Sequence, residues 1–203
     1  MVPFGPPPPG VRPARLPEHR EVVKLGVTPK GVDALVGFNL REHISIIASG
    51  KIISGFHMAA RLAAGADICN SARGFMFALG CIQARRCNTN HCPVGIATQN
   101  PGLVRGLEVS DKAERVAAYH QNSVDAFREL LGAAGLDHPD ELTPWHIHRR
   151  VDQTQVLSYG KIFNPLDPGE LLAKPYPSDY RDWMDRASPD SFKVSVWMHT
   201  WTS

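Results

Sequence analysis

No uncharged apolar run in this sequence approaches the ~20 residues that a membrane-spanning helix needs. Proline interrupts the N-terminal residues so often that no secretory apolar region is expected there, and the protein is expected to be cytoplasmic. Neither sign of charge is in excess: 22 Lys and Arg stand against 20 Asp and Glu, a formal net charge of +2. No basic stripe breaks that balance, so neither nucleic acid nor a membrane is an expected partner. No internal repeat is found, which leaves no sign of a solenoid or propeller. Cysteine occurs four times, at Cys69, Cys81, Cys87 and Cys92, and three of the four fall within twelve residues. A secreted chain would raise the question of disulfides. In a reducing compartment, clustered thiols more often bind metal or carry chemistry.

What is present is ordinary globular composition, 43% hydrophobic and 21% charged, sufficient for one core. Three segments are expected. Residues 1–30 form a Pro-rich arm, with Pro at 3, 6, 7, 8, 9, 13, 17 and 29 and no apolar periodicity. Such sequence favours extended polyproline II, so a disordered or loosely docked arm is expected. Residues 31–100 alternate between helix and strand patterns. Val32, Leu35, Val36 and Leu40 recur at helical spacing between Gly31 and His43. Ile44-Ser45-Ile46-Ile47-Ala48 reads as a buried strand. Ser54 is a candidate N-cap for a helix to about Ala64, ended by Gly65. Ala66 to Asn70 reads as a second short strand and Phe75 to Gly80 as a helix. This alternation predicts α/β architecture with βα units on a parallel sheet, without choosing between a barrel and an open sheet.

Residues 101–203 are expected to be a helical extension and irregular tail. Ser110 is a candidate cap for a helix from Asp111 to about Leu131, with Val116, Tyr119, Val124, Phe127 and Leu131 on its apolar side. Pro139 to Leu142 and Pro144 to Arg150 read as short helical turns. From Asp152 onward the pattern is loop-like, with Tyr176, Tyr180, Trp183 and Phe192 scattered through a tail that packs on something. His57, His146 and His148 read as surface or packing residues, and Trp145, Trp183, Trp197 and Trp201 as packing residues.

Two features carry chemistry. The first is Cys81-Ile-Gln-Ala-Arg-Arg-Cys87-Asn-Thr-Asn-His-Cys92-Pro93, with the spacing C-x5-C-x4-C followed by Pro. Thiolates ligate iron–sulfur clusters, and Pro after the last Cys is common in such loops. Arg85 and Arg86 would offset thiolate and sulfide charge. Zinc held by the three cysteines and His91 is chemically sound, although structural zinc loops favour closer spacing. Plain buried thiols are the third reading, and Cys69, in a strand pattern, is read that way. The second feature is a pair of runs, Ile47-Ala48-Ser49-Gly50-Lys51 and Cys69-Asn70-Ser71-Ala72-Arg73-Gly74, each placing small residues just after a strand pattern. Backbone N–H groups in such turns can approach a phosphate, and Lys51 and Arg73 would add positive charge. Taken alone the motif is weak, and small residues that merely make tight turns are the simpler reading of the same pattern.

Together these residues resemble a known family. Ile47-Ala48-Ser49-Gly50-Lys51, Ala64-Gly65-Ala66-Asp67, Phe77-Ala78-Leu79-Gly80-Cys81-Ile82-Gln83-Ala84 and the run from Cys87 to Gln99 (Cys-Asn-Thr-Asn-His-Cys-Pro-Val-Gly-Ile-Ala-Thr-Gln) look like the end of the synthase domain of glutamate synthase. The shorter FMN-binding glutamate-synthase-like proteins are the nearer match, through Asp111 to Val116 and Gly132 to Leu136. The resemblance implies the C-terminal portion of a (β/α)8 TIM-type barrel. It implies that Ser49, Gly50, Lys51, Ser71, Ala72 and Arg73 hold the FMN phosphate, and that Cys81, Cys87 and Cys92 ligate a 3Fe-4S cluster. It further implies an oxidoreductase that reduces 2-iminoglutarate, formed from 2-oxoglutarate and ammonia, to glutamate. The electron donor would be a ferredoxin or a reductase subunit.

A full barrel takes about 250 residues, and only about two βα units precede the cysteine loop. A fragment is therefore expected, either completed by a chain that supplies the rest of the barrel or surviving as an inactive, metal- or cluster-binding interaction module. Alone, its open strand edge predicts marginal stability.

Overall fold

The computed structural model describes residues 21–25, 29–188 and 190. The first element corrects the expectation of a loose arm up to residue 30. Glu21–Leu25 is a strand, β1, paired in parallel with the next strand so that Glu21 lies opposite Ile44 and Leu25 opposite Ala48. Pro17 and Pro29 bracket a stretch free of proline. Every residue of β1 therefore keeps its N–H for the ladder, and Val22 and Val23 favour extended backbone. Residues 1–20, the greater part of the expected arm, lie outside the described residues.

Helix α1 spans Pro29–Gly37, shorter than the expected run to His43. Its first residue is proline, whose missing N–H costs nothing there. Asn39, at φ 56°, turns the chain out of the helix, and Arg41–His43 forms only a short 3-10 turn. Strand β2 is Ile44–Ser49 and helix α2 is Gly55–Ala63. Ser54 caps α2 as expected, its side chain accepting from the His57 N–H at 3.4 Å. Gly65, at φ +94°, ends the excursion in a left-handed turn that a side chain would resist. Strand β3 is only Ile68–Asn70. Asp67 is instead a tie, its carboxylate accepting from the Ile46 N–H at 2.7 Å and from Arg41 at 2.8 Å. Helix α3 follows at Arg73–Ala78.

The sheet order is β1-β2-β3, all parallel, with α1 and α2 as the crossovers. Ile46 and Ala48 are fully buried against Val32, Ile52 and Ala66. Among the described residues this sheet does not close into a barrel, and β1 and β3 each keep one edge without a strand partner.

Helix α4 is Pro101–Val104 and the long helix α5 is Val109–Ala133. Ser110 does not cap α5. The N-cap is Glu108, and the Ser110 hydroxyl, already inside the first turn, donates to the Glu108 carboxylate at 2.7 Å. Phe127 and Leu131 of α5 form a second core with Ala59, Ala63 and Ile147. The approach is close at Gly55, where a Cβ would lie 2.6 Å from the Phe127 backbone nitrogen.

The two proline turns exist as 3-10 segments, Pro139–Glu141 and Pro144–His146. The second does not reach Arg150. His148–Arg150 is strand β4, antiparallel to β5, Val156–Ser158. Asp152 closes this hairpin by accepting from the N–H groups of Thr154 and Gln155, both at 2.8 Å. Helix α6 is Tyr159–Phe163, capped by Ser158. Helix α7, Ser178–Arg186, has no buried residue and meets α1 through polar contacts: Lys30 with Asp179 at 3.2 Å, and the Tyr180 hydroxyl donating to Asp33 at 3.5 Å. Trp183 is 77% exposed, while Phe192, Trp197 and Trp201 lie outside the described residues. Among the described residues no helix is long and apolar enough to cross a membrane.

Candidate functional site

The site is built on the C-terminal ends of β2 and β3. Their register sets Ser49 opposite Asn70, so the chain leaves both strands at the same edge of the sheet. The first turn continues through Gly50 at φ +98° and Lys51 at φ 57°. Gly50 suits this left-handed conformation, and a Cβ placed on it would meet nothing within 4 Å, so the turn opens to solvent. The second turn is Ser71 and Ala72, leading into Arg73 at the first position of α3. Gly50, Lys51, Ala72 and Arg73 are exposed, whereas Ser49 and Ser71 are half-buried. All six expected residues thus lie side by side on two neighbouring turns. That arrangement suits an anion the size of a phosphate, approached by backbone N–H groups and two cationic side chains.

Internal bonds fix the turns to each other. The Ser71 hydroxyl donates to the Ile52 carbonyl at 2.6 Å, so its proton serves the protein. The next carbonyl, Ile53, accepts from the Tyr119 hydroxyl of α5 at 3.1 Å. Tyr119 also stacks edge-on against Phe75, with ring centroids 5.1 Å apart. Gly74 makes room for that hydroxyl, since a Cβ on it would overlap Tyr119 Oη. Helical periodicity placed Tyr119 on an apolar stripe but gave no sign of its polar contact.

The cysteine loop begins where α3 ends, with the Cys81 N–H donating to Met76 O at 3.0 Å. From Cys81 to Asn100 no helix or strand forms. Gln83, Arg85 and Asn90 all adopt positive φ. The base of the loop is pinned by the Asn90 side chain, which accepts from the Gln99 N–H at 2.5 Å and from the Thr98 hydroxyl at 3.2 Å. Cys92 is buried at 8% exposure, Cys81 is half-buried and Cys87 is exposed. Backbone N–H groups converge on the Cys92 sulfur, foremost that of Ala97, then those of Val94, Ile96 and Gly95, and hold its thiol below the ordinary range. Cys92 is therefore suited to act as a thiolate ligand. The full set is not assembled: among the described residues no three His, Cys, Asp or Glu side chains are gathered so as to hold a metal ion. As placed, Cys81, Cys87, Cys92 and His91 do not form such a group. Cys69 packs against the first core, where burial pushes its thiol up to about 11.

Fold and site together define an α/β protein with paired turns at the ends of adjacent parallel strands, followed by a cysteine loop. Residues 23–137, more than half of the chain, match the conserved region in glutamate synthase, and the chain belongs to that family. It is 37% identical over 134 residues to the glutamate synthase large subunit-like protein YerD of Bacillus subtilis, covering 66% of this chain and 26% of that protein. It is 43% identical over 103 residues to the archaeal glutamate synthase (NADPH) of Methanocaldococcus jannaschii, covering 51% of this chain and 20% of that one. With the chloroplastic ferredoxin-dependent glutamate synthase 2 of Arabidopsis thaliana it shares 44% identity over 69 residues, 34% of this chain and 4% of that protein. The chain thus spans about a quarter or less of these relatives' lengths.

Proposed function

We propose that the chain is part of a glutamate synthase-like oxidoreductase in which the turns at Ser49–Lys51 and Ser71–Arg73 hold the phosphate of FMN. The observation that carries this reading is the alignment of both turns at the ends of adjacent parallel strands, within the segment matching the glutamate synthase region. In (β/α)8 barrels, loops after late strands often form a phosphate site, so β1 to β3 are proposed as strands of such a barrel. Further βα units complete it, from the same polypeptide or from a partner. FMN, when bound, supplies hydride transfer to 2-iminoglutarate, made from 2-oxoglutarate and ammonia, to give glutamate. The residues here anchor the phosphate end: exposed N–H groups bond it, Lys51 and Arg73 balance its charge, and Gly50 lets it approach the backbone. Cys81, Cys87 and Cys92 are the proposed ligands of a 3Fe-4S cluster, supported by their spacing and by the N–H groups around Cys92. A ferredoxin or a pyridine-nucleotide-linked reductase is the proposed electron source, in keeping with the names of the relatives.

The test is metal and flavin analysis of anaerobically purified chain, followed by assay of glutamate formation with the remaining barrel supplied in trans. Bound iron and FMN with reductant-dependent glutamate production support the reading. Colourless protein with stoichiometric zinc overturns the cluster assignment. Metal binding without glutamate formation in the completed barrel points instead to an inactive interaction module.

A further inference from the structure

We propose that Tyr119 is a positioning residue for the phosphate end of the flavin, an inference that rests on the phosphate assignment above. Two consecutive carbonyls after the first turn are tied to different elements. Ile52 O is bonded to Ser71 of the second turn, and Ile53 O to Tyr119 of α5. The Tyr119 hydroxyl also lies against Gly74, one residue after Arg73, where a Cβ would collide with it. One side chain from a distant helix therefore touches the segments that follow both turns. Its ring is braced against Phe75 and its helix is held by Phe127 and Leu131 in the second core.

The consequence is preorganisation. The N–H groups of Gly50, Lys51, Ala72 and Arg73 belong to two loops that would otherwise move independently. Two bonds to adjacent carbonyls fix one loop against the other before any anion arrives. Without the Tyr119 bond, ordering of the first loop is deferred to binding and subtracts from affinity. Tyr119 acts through the loop it ties and not by touching the anion.

The measurement is the ratio of riboflavin to FMN dissociation constants, read by flavin fluorescence on the full chain, alongside melting temperature. Riboflavin lacks the phosphate, so the ratio isolates the phosphate contact. Wild-type protein is expected to prefer FMN. Tyr119→Phe, which keeps the ring and removes the hydroxyl, is expected to lower that preference about 5- to 10-fold, the size of one lost hydrogen bond. Gly74→Ala, which displaces the hydroxyl by a different route, is expected to do the same in whatever fraction folds. If Tyr119→Phe weakens both flavins equally, or only lowers the melting temperature, Tyr119 is a packing residue and the proposal falls. If wild-type protein shows no preference for FMN and Lys51→Ala changes nothing, the phosphate assignment itself falls and takes the proposal with it.

Discussion

The strand-end turns and the cysteine loop lie at opposite ends of one short helix, α3, and are built in opposite ways. The turns sit on a sheet whose central strand is fully buried at Ile46 and Ala48, and hydrogen bonds from Ser71 and Tyr119 lock them. The loop has no regular structure, several left-handed residues and an exposed Cys87. The proposed phosphate site draws on backbone N–H groups, which the turns carry whether or not an anion is bound. A set of thiolates carries like charges that repel until a metal neutralises them, so ligand assembly and metal binding proceed together. Of the three loop cysteines Cys92 is the buried one, and hydrogen bonding from nearby backbone N–H groups, foremost that of Ala97, holds its thiol below the ordinary range.

The sharpest way to break this comparison is to remove equivalent apolar groups from each side. Ile46→Ala, at a fully buried position, is expected to cost about 2–4 kcal/mol in urea denaturation. Ile82→Ala, at a position 64% exposed in the loop, is expected to cost no more than about 0.5 kcal/mol. Equal losses would show that the loop is as tightly built as the sheet.

Asp67→Ala is expected to destabilise by about 2 kcal/mol, since the Ile46 N–H loses its acceptor and half-buried Arg41 its carboxylate. A loss under 0.5 kcal/mol would mean that water replaces the carboxylate there.

A pH dependence tests the same packed side. Burial pushes the Asp33 carboxyl from 3.8 up to about 6, despite the Tyr180 hydrogen bond and the nearby Lys30 charge. The folded state therefore holds a proton that the unfolded state releases. This contribution is fully present below about pH 4 and is lost as pH rises through about 6. Asp33→Asn is expected to flatten the stability profile between those values and to raise stability at pH 7, by on the order of 1–2 kcal/mol. An unchanged profile would show that Asp33 is effectively solvated.

The smallest effect on stability is expected at Cys87→Ser. In metal-free protein, unfolding should shift by less than about 0.5 kcal/mol. Iron content after reconstitution should nevertheless drop sharply. Retention of iron at the wild-type level would exclude Cys87 as a ligand.

These contrasts follow how much of the molecule was legible in its sequence. β2 and α2 were legible because their signals are local: a β-branched run in one, Ser54 as cap and Gly65 as stop in the other. β1 was obscured by the prolines around it, and only its pairing with β2 makes it a strand. The β4–β5 hairpin was missed because His148, Arg149 and Arg150 are polar and exposed, and its turn depends on bonds made by Asp152. Ser110 misled for a related reason, since its hydroxyl bonds Glu108 instead of a free N–H. The six turn residues could be named from the chain alone. That their turns are adjacent depends on strand register, and Tyr119 enters only through packing across the fold.

Helix α5 has 25 residues and so extends about 37 Å. Its stripe touches the segment after the first turn through Tyr119, α2 through Phe127, and, through Leu131, the core that holds Ile147 just before the hairpin. No one of these regions can open far without releasing it. In hydrogen exchange, the middle amides of α5 should accordingly be among the slowest in the molecule, exchanging together with those of β2 as one cooperative unit, while the amides of the cysteine loop exchange independently and early.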